Sequence, residues 1–390
     1  MQKYNPQKLI AKRKALGLST KQLSDALGFG KDGDKIIRGW ESGEMVPDDG
    51  QYNMVMSFAS DISFKTTDNP EFSFIDLFAG IGGIRIPFME LGGNCIFSSE
   101  WDKHAQTTYR INFGETPAGN IREIKTSDIP DFDILLGGFP CQPFSQAGLH
   151  KGFSDTRGTL FFEIERIIDE KKKSGHAPKA FLLENVKRLK GHDGGNTFKV
   201  IMEHLHALNY YATAKILRAG DFGVPQNRER IYIIGFDKDY YNIPDEYEFE
   251  YPIPPHTKTC FGNILEQNVD PKYSISEKLY MGHFERKERN KTEGKGFGFS
   301  VFKPESEYVN TISARYYKDG SEILVFQGDN IPPRKLTPRE CARLQGFPEE
   351  FIIPVSNIQA YKQFGNSVAV PVIRAIANRM IEEMQNFSIK

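Results

Sequence analysis

The sequence predicts an α/β protein built on a parallel sheet with helices on both faces. Short apolar, β-prone runs recur along the middle of the chain: FSFIDLF, NCIFSSE, FDILLGG, KAFLLENV and RIYIIGF. Stretches of helical period separate them, the pattern of strands joined by helical crossovers. A glycine-rich turn, AGIGG, leaves the first run and opens a helix from about Arg85.

Residues 1–60 come first. Lys8 to Leu16 is basic and periodic, Ser19 and Thr20 suit a helix cap, and KQLSDALG sets Leu23, Ala26 and Leu27 at helical spacing. Gly28 and Gly30 interrupt, and KIIRGWESG forms a second short pattern that stops at Gly43 and Pro47. Two short helices about a glycine turn predict a helix-turn-helix; the alternative is a small helical packing domain. Residues 61–72 read as a polar linker. The alternation of strands and helices fills 73–236. It lapses in 237–333, which is rich in Pro, Tyr, Phe and Gly and is expected to be a smaller, irregular, β-rich domain. There Asp319–Gly320 is expected to turn a hairpin between two β-prone runs. The α/β pattern returns in 334–390 and ends in an amphipathic helix near Val370 to Met384.

A chain of 390 residues suffices for two or three domains. Its first residues lack the apolar core of a signal peptide, and no run approaches the roughly 18 apolar residues of a membrane span. The expectation is a soluble, cytoplasmic protein with no membrane partner. Cys95, Cys141, Cys260 and Cys341 form no C-x-x-C pair, so neither a metal site nor a disulfide scaffold is expected. Three of them read as small buried hydrophobes. The net charge of −1 carries no basic excess, so any nucleic-acid contact must gather its positive charge on one face.

The chemistry-bearing residues gather at predicted strand ends. Phe78, Gly80 and Gly82 lie in a strand-to-helix turn where glycines let a ligand approach the backbone and the helix start offers free N–H groups. Glu100 ends the next strand, placed to accept ribose hydroxyls, and Trp101 beside it suits stacking on a base. This spacing fits a dinucleotide enzyme or a methyltransferase. The glycines depart from G-x-G-x-x-G, which weakens the dehydrogenase reading, and a tight turn with a solvated Glu100 is the plain alternative. Cys141 follows another strand in the Gly/Pro loop GGFPCQPFS, where α/β sheets place ligands. The loop after it, Gln142 to Asp155, is long and polar as a closing lid would be. Glu184 ends the strand FLLENV at the same sheet edge. Arg228 and Arg230, two residues apart before IYIIGF, share a face if strand geometry already applies. Two guanidiniums suit carbonyl or anion recognition; a salt-bridged surface is the alternative.

In order along the chain, FIDLFAGIGG, EW, PCQPFS, ENV, QNRERIYIIG, RKLTPRECARLQGFP and QFGNSVAVPV resemble the motif series of the bacterial DNA cytosine-C5 methyltransferases, near the HpaII-like and Dcm-like groups. The resemblance covers about Ser73 to Met380. The N-terminal stretch LIAKRKALGLSTKQLSDALG…IIRGWESGEMVP resembles the Cro/repressor-type helix-turn-helix, with a longer turn. The first resemblance implies a Rossmann-like, S-adenosylmethionine-dependent catalytic domain (73–236 and 334–390) and a target-recognition domain (237–333).

It also implies roles. Cys141 is the nucleophile that adds to cytosine C6, a covalent step that makes C5 reactive. Glu184 protonates N3, Arg230 holds O2, and Arg228 is the second arginine of that motif. The donor site comprises Phe78, Gly80, Gly82, Glu100, Trp101, Asn120, Ile121, Asn366 and Ser367. Asn120 stands where the family often has Asp; its amide oxygen still accepts a bond from the adenine amino group. The product is S-adenosylhomocysteine. The partner is double-stranded DNA with the target base flipped out of the stack. Basic stretches at Phe284 to Lys291 and Ser313 to Lys318 are candidate phosphate contacts, and TISARYYKDGSEIL resembles enzymes acting on CC-containing palindromes. The enzyme is expected to act as a monomer in a restriction-modification system, associated with the nucleoid. Residues 1–60 are expected to control expression, dimerising on operator DNA. Two other readings stand beside this one: an RNA (tRNA) cytosine-C5 methyltransferase, and a repressor built on a methyltransferase scaffold.

Overall fold

A computed structural model of the chain describes residues 4–389 except 28, 30–31, 49–50, 53–54, 57–62, 141–159, 295 and 297. Three helices come first: α1 (Pro6–Ala15), α2 (Thr20–Ala26) and α3 (Gly33–Ser42). The Asn5 side chain caps α1 by accepting from the Lys8 N–H. Arg13 pairs with Glu41 to tie α1 to α3, and Leu9, Leu18, Leu23, Ile37 and Trp40 bury themselves between the helices. The predicted linker is not a free tether. Phe64 packs against Phe113 and Phe351, and its N–H donates to the Asn112 carbonyl.

The core is a six-stranded sheet: β1 (Phe72–Leu77), β2 (Gly93–Ser99), β3 (Ile134–Gly138), β4 (Ala180–Val186), β5 (Tyr210–Arg218) and β6 (Glu229–Asp237), in spatial order β2-β1-β3-β4-β6-β5. Four neighbouring strands, β2 through β4, are parallel as expected. β6 is not. It enters between β4 and β5 and runs antiparallel to both, so the all-parallel expectation is corrected to a mostly parallel sheet. β5 went unpredicted because it is an edge strand. Its residues YYATAKILR are mostly half-buried and lack the continuous apolar run that betrays a central strand.

Alternation along the strands divides the core in two. Phe74, Leu136, Leu182 and Ile234 face one side with α4 (Arg85–Glu90) and the C-terminal helix α11 (Val370–Ile389), which contributes Val372, Ile373, Ile376 and Met380. Ile75, Leu135, Leu183 and Ile233 face the other with α6 (Phe161–Lys173) and α7 (Asn196–Ala207). Helix α5 (Lys103–Phe113) follows β2 and joins a third cluster with α9 (Pro338–Leu344) and α10 (Asn357–Asn366).

Residues 237–333 depart from the β-rich expectation. Among the described residues they hold a 16-residue helix, α8 (Glu277–Thr292), and two two-residue strands, β7 (Val301–Phe302) and β8 (Leu324–Val325), paired in parallel. No hairpin forms at Asp319–Gly320. The chain instead winds around buried Tyr316, whose hydroxyl donates to the Ile323 carbonyl and accepts from the Leu336 N–H. Anchoring that ring outweighs the local turn preference. No described helix is long and apolar enough to cross a membrane.

One position in β6 tolerates no side chain. A Cβ on Gly235 would lie 2.1 Å from the fully buried Phe181 ring. Gly235→Ala is therefore expected to destabilise the fold by about 1–3 kcal/mol through overpacking, read as a lower urea midpoint at unchanged m-value.

Candidate functional site

The loop leaving β1 has an unusual backbone. Phe78, Gly80 and Gly82 all have positive φ, at 55°, 55° and 83°. The left-handed conformation strains a phenylalanine, and such strain tends to collect at ligand sites. A Cβ on Gly82 would stand 2.2 Å from the Phe113 ring, whereas one on Gly80 would meet nothing within 4 Å among the described residues. The first glycine admits a helix against the loop; the second leaves an open cradle above it.

Glu100, at the end of β2, is buried. Its carboxylate accepts from the Gly80 N–H and the Asp102 N–H, each at 2.8 Å. Burial raises its pKa against the pull of those bonds. Its oxygens keep lone pairs for a further donor such as a ribose hydroxyl. Trp101 is 79% exposed, an indole face free to stack. The Ala118 N–H donates to the Ser98 carbonyl, which brings the next turn to the end of β2. In that turn Asn120 caps Ile121–Glu123, accepting from the Arg122 N–H and donating to Glu123; Ile121 is buried beneath. Ser367 packs over Gly83, where an added Cβ would meet its Oγ at 2.8 Å, and Asn366 beside it is exposed. The ends of β1, β2 and α10 thus meet around the cradle. This donor set fits an adenosine: a carboxylate for the ribose, an indole for the base and close backbone for the remainder.

The second half of the site lies at the ends of β3 and β4. Gly138 is the register partner of Glu184, and the Asn185 Nδ2 donates to the Phe139 carbonyl at 2.9 Å, fixing the start of the loop that follows β3. Cys141 and the expected lid from Gln142 to Asp155 lie outside the described residues, which stop at Pro140 on this side. Because β6 is antiparallel, its first residues meet the last of β4: Arg230 is paired in register with Val186, and Tyr232 with Glu184. Arg230 Nε lies 3.1 Å from Glu184 Oε1.

Burial is the largest influence on Glu184 and raises its pKa, while Arg230 and Arg228 both oppose it. The outcome is a carboxyl that keeps its proton more readily than an exposed one. Arg228 differs from Arg230. It is 2% exposed, and its guanidinium donates to the carbonyls of Ile312 and Ser367. Burial, with repulsion from Arg230, lowers its pKa to about 9, which leaves it charged at neutral pH.

Sequence reasoning missed several residues here. Asn185 and Gln226 lie inside quoted motifs, but their tasks depend on partners elsewhere in the chain. Asp76, Arg85 and Tyr109 form a buried polar cluster under the loop: Arg85 donates to the Tyr109 hydroxyl at 3.0 Å and pairs with Glu115, and Tyr109 donates to Asp76 Oδ2 at 3.3 Å. Asp76 Oδ1 has no hydrogen-bond partner among the described residues. A lone Asp inside an apolar strand, FIDLF, was the available signal. Cys95 and Cys341 are buried free thiols as expected, whereas Cys260 is only partly buried.

Residues 72–382 match the family model of the C-5 cytosine-specific DNA methylases. The chain is 56% identical over 375 residues to the Type II methyltransferase M1.ScrFI of Lactococcus lactis subsp. cremoris, covering 96% of this chain and 94% of that protein. It is 58% identical over 313 residues to the Type II methyltransferase M.NlaX of Neisseria lactamica, covering 79% of this chain and 96% of that protein. Among solved structures, the S. pombe Dnmt2 methyltransferase superposes with a TM-score of 0.65 at 21% identity, over 81% of this chain and all of that one, a likeness of fold.

The Asp76 cluster sets a pH dependence. Burial lifts the Asp76 carboxyl to about 8, against the pull of Arg85 and Tyr109 and aided by Glu115 and Glu100. A raised carboxyl favours the folded state below its unfolded pKa near 3.8, and that advantage is lost as pH climbs toward 8. Asp76→Asn, which cannot ionise, is expected to gain stability relative to wild type by about 1.4 kcal/mol per pH unit across that window and level off above it. Urea denaturation of both proteins at pH 5, 6.5, 8 and 9 measures the difference.

Proposed function

The chain belongs to the C-5 cytosine-specific DNA methylases, and on that premise we propose that it methylates C5 of a flipped cytosine in duplex DNA through a covalent adduct of Cys141 at C6. The observation that carries this reading is the convergence of Glu184, Arg230 and the end of β3 at one sheet edge.

The Cys141 thiolate adds to C6 and pushes electron density through the ring. N3 takes a proton from Glu184, whose burial keeps that proton available. Arg230 holds O2, where negative charge would otherwise accumulate. The resulting enamine is nucleophilic at C5. Bound S-adenosylmethionine would supply an electrophilic methyl group for that carbon, with S-adenosylhomocysteine as the product. Loss of the C5 proton to a base, with water as one candidate, then expels the Cys141 thiolate, and N3 returns its proton to Glu184, which restores both the ring and the acid. Phe78, Gly80, Gly82, Glu100, Trp101, Asn120, Ile121, Asn366 and Ser367 hold the donor, with Glu100 on the ribose and Trp101 against the adenine.

Residues 237–333 read the DNA sequence, a CC-containing palindrome by resemblance. Arg315 and Lys318 are exposed at the turn of this segment, and Arg289 and Lys291 are exposed on α8. An Arg286–Asp319 pair at 2.8 Å joins the two stretches. Phosphate contacts from such a surface supply affinity despite the net charge of −1. The enzyme serves a cytoplasmic, nucleoid-associated restriction-modification system, a role supported by the Type II relatives. The DNA reading is favoured over tRNA by identities above one half to proteins named for that type. Residues 1–60 act as a helix-turn-helix on the promoter of the enzyme's own operon, dimerising there. Three short helices, with Lys35 and Arg38 exposed on α3, support that role.

The wild-type enzyme is expected to move labelled methyl from S-adenosylmethionine to duplex DNA and leave tRNA unlabelled. Cys141→Ser should abolish transfer, and Glu184→Gln should slow it by about 10²–10⁴-fold. Labelled tRNA with unlabelled DNA would overturn the substrate class. Bisulfite sequencing of the product then gives the recognition site and the modified cytosine. For the regulatory role, the full chain is expected to shift promoter DNA in a gel and lose that shift on Lys35→Glu/Arg38→Glu. A variant that shifts the promoter undiminished would sink the assignment.

A further inference from the structure

Gln226 is fully buried, yet it carries one of the most polar side chains available. Its carboxamide bridges three separate segments. Oε1 accepts from the Ile312 N–H at 3.1 Å; Nε2 donates to the Leu344 carbonyl at 3.0 Å and to Gln345 Oε1 at 3.1 Å. Gln345, also fully buried, passes the connection on. Its Nε2 donates to the carbonyls of Phe364 and Ser367. Arg228, two residues beyond Gln226, closes the circuit by donating to the carbonyls of Ile312 and Ser367. The backbone is zipped alongside: Asn227 N–H donates to Val309 O, Val309 N–H to Pro225 O, and the Thr311 hydroxyl to Asn227 O.

Burying a carboxamide costs free energy unless each polar atom is met. Only a side chain that both accepts and donates satisfies the Ile312 N–H and the Leu344 carbonyl together. An apolar core would hold these segments at lower polar cost but would let them slide. Both polar atoms of the Gln226 carboxamide are met, and although Arg228 Nε has no partner among the described residues, such a network holds one arrangement because any shift orphans further buried groups. Residues 309–312 therefore move as one body with 225–228, and Arg230, which holds Glu184, begins two residues later. Close packing adds to this: a Cβ on Gly365 would lie 2.3 Å from the Ser313 backbone.

We infer that Gln226 is a positioning residue that makes turnover depend on correct DNA sequence, by locking the 309–318 segment to the strand carrying Arg230. The inference rests on the proposal that residues 237–333 read the DNA. When that segment seats on its own site, the lock brings Arg230 and Glu184 to their working position; on an altered site the segment seats poorly and the arginine with it.

The test compares steady-state methylation of a duplex carrying the mapped site with the same duplex altered at one base pair outside the target cytosine. Gln226→Met keeps the volume and removes every bond. It is expected to lower kcat on the correct site at least tenfold and on the altered site by less. The discrimination ratio should then shrink threefold or more, with S-adenosylhomocysteine affinity within twofold of wild type. Simple destabilisation lowers the active fraction for both duplexes by the same factor and leaves the ratio untouched, so an unchanged ratio overturns the inference. Should Gln226→Met fail to bind S-adenosylhomocysteine, the ratio is read in Thr311→Val, which removes only the half-exposed hydroxyl bond to Asn227; a twofold to threefold fall supports the lock and no fall overturns it. A wild-type enzyme that methylates both duplexes equally sinks the underlying recognition reading instead.

Discussion

The antiparallel insertion of β6 between β4 and β5 is the constraint on which the site depends. In an all-parallel sheet, each strand delivers its last residues to the ligand edge. β6 delivers its first. Arg230 and Ile231, near the start of the strand, pair with Val186 and Asn185, the closing residues of β4, and the segment 225–228 arrives at that edge before the strand begins. Had β6 run parallel over the same span, Arg230 would stand opposite Ala180 instead of Val186, about four residues of strand, some 13 Å, from Glu184. The single reversed strand thus places two guanidiniums against one buried carboxyl and leaves 225–228 free to bond with 309–312.

How far this was legible in the sequence follows from where each signal lives. The central strands announced themselves because burial on both faces demands continuous apolar runs such as FLLENV. β5 did not, since an edge strand keeps one side wet. Strand direction was invisible: IYIIGF reads the same whether it runs up or down the sheet. Residues 311–320 misled in the other direction, for an Asp-Gly pair is a real local preference, and only the distant Leu336 N–H on Tyr316 overrules it. The site followed the same rule. Glu184, Arg228 and Arg230 could be singled out as candidates because they stand at strand ends within short motifs. Gln226 was printed in one of those motifs and still unreadable, since its partners lie 86 to 119 positions away.

The half of the candidate site built on β1 and β2 shows a comparable economy around α5. Asp102 caps its start, accepting from the His104 and Ala105 N–H groups. Its Gln106 side chain donates back to the Glu100 carbonyl, and its Phe113 ring lies where any side chain on Gly82 would have to go. The outer face of the same helix receives the N-terminal helices, with Gln22 donating to Thr107 Oγ1 at 2.9 Å and Ile111 joining their apolar cluster. One helix therefore shapes the glycine loop after β1 from below and seats the N-terminal helices from outside, which accounts for the following segment being strapped down by Phe64 instead of left loose.

The charge state of Glu184 is a contest whose winner decides what the residue does. Two guanidiniums nearby would ordinarily hold a carboxyl ionised and depress its pKa. Here burial is the larger effect and the net shift is upward. Arg228 contributes less than its proximity suggests, because its N–H groups are committed to the Ile312 and Ser367 carbonyls and burial has weakened its own hold on charge. Arg230, with one nitrogen on Glu184 and another on the Glu229 carbonyl, is tethered beside the acid and opposes the upward shift without reversing it. In the proposed mechanism an acid held in this balance would give a proton to a ring nitrogen that becomes basic only during reaction. It would take negative charge at the moment the two arginines are best placed to stabilise it. The same pair of arginines on an exposed carboxyl would fix the anion in the ground state, and the proton would have left before the base arrived.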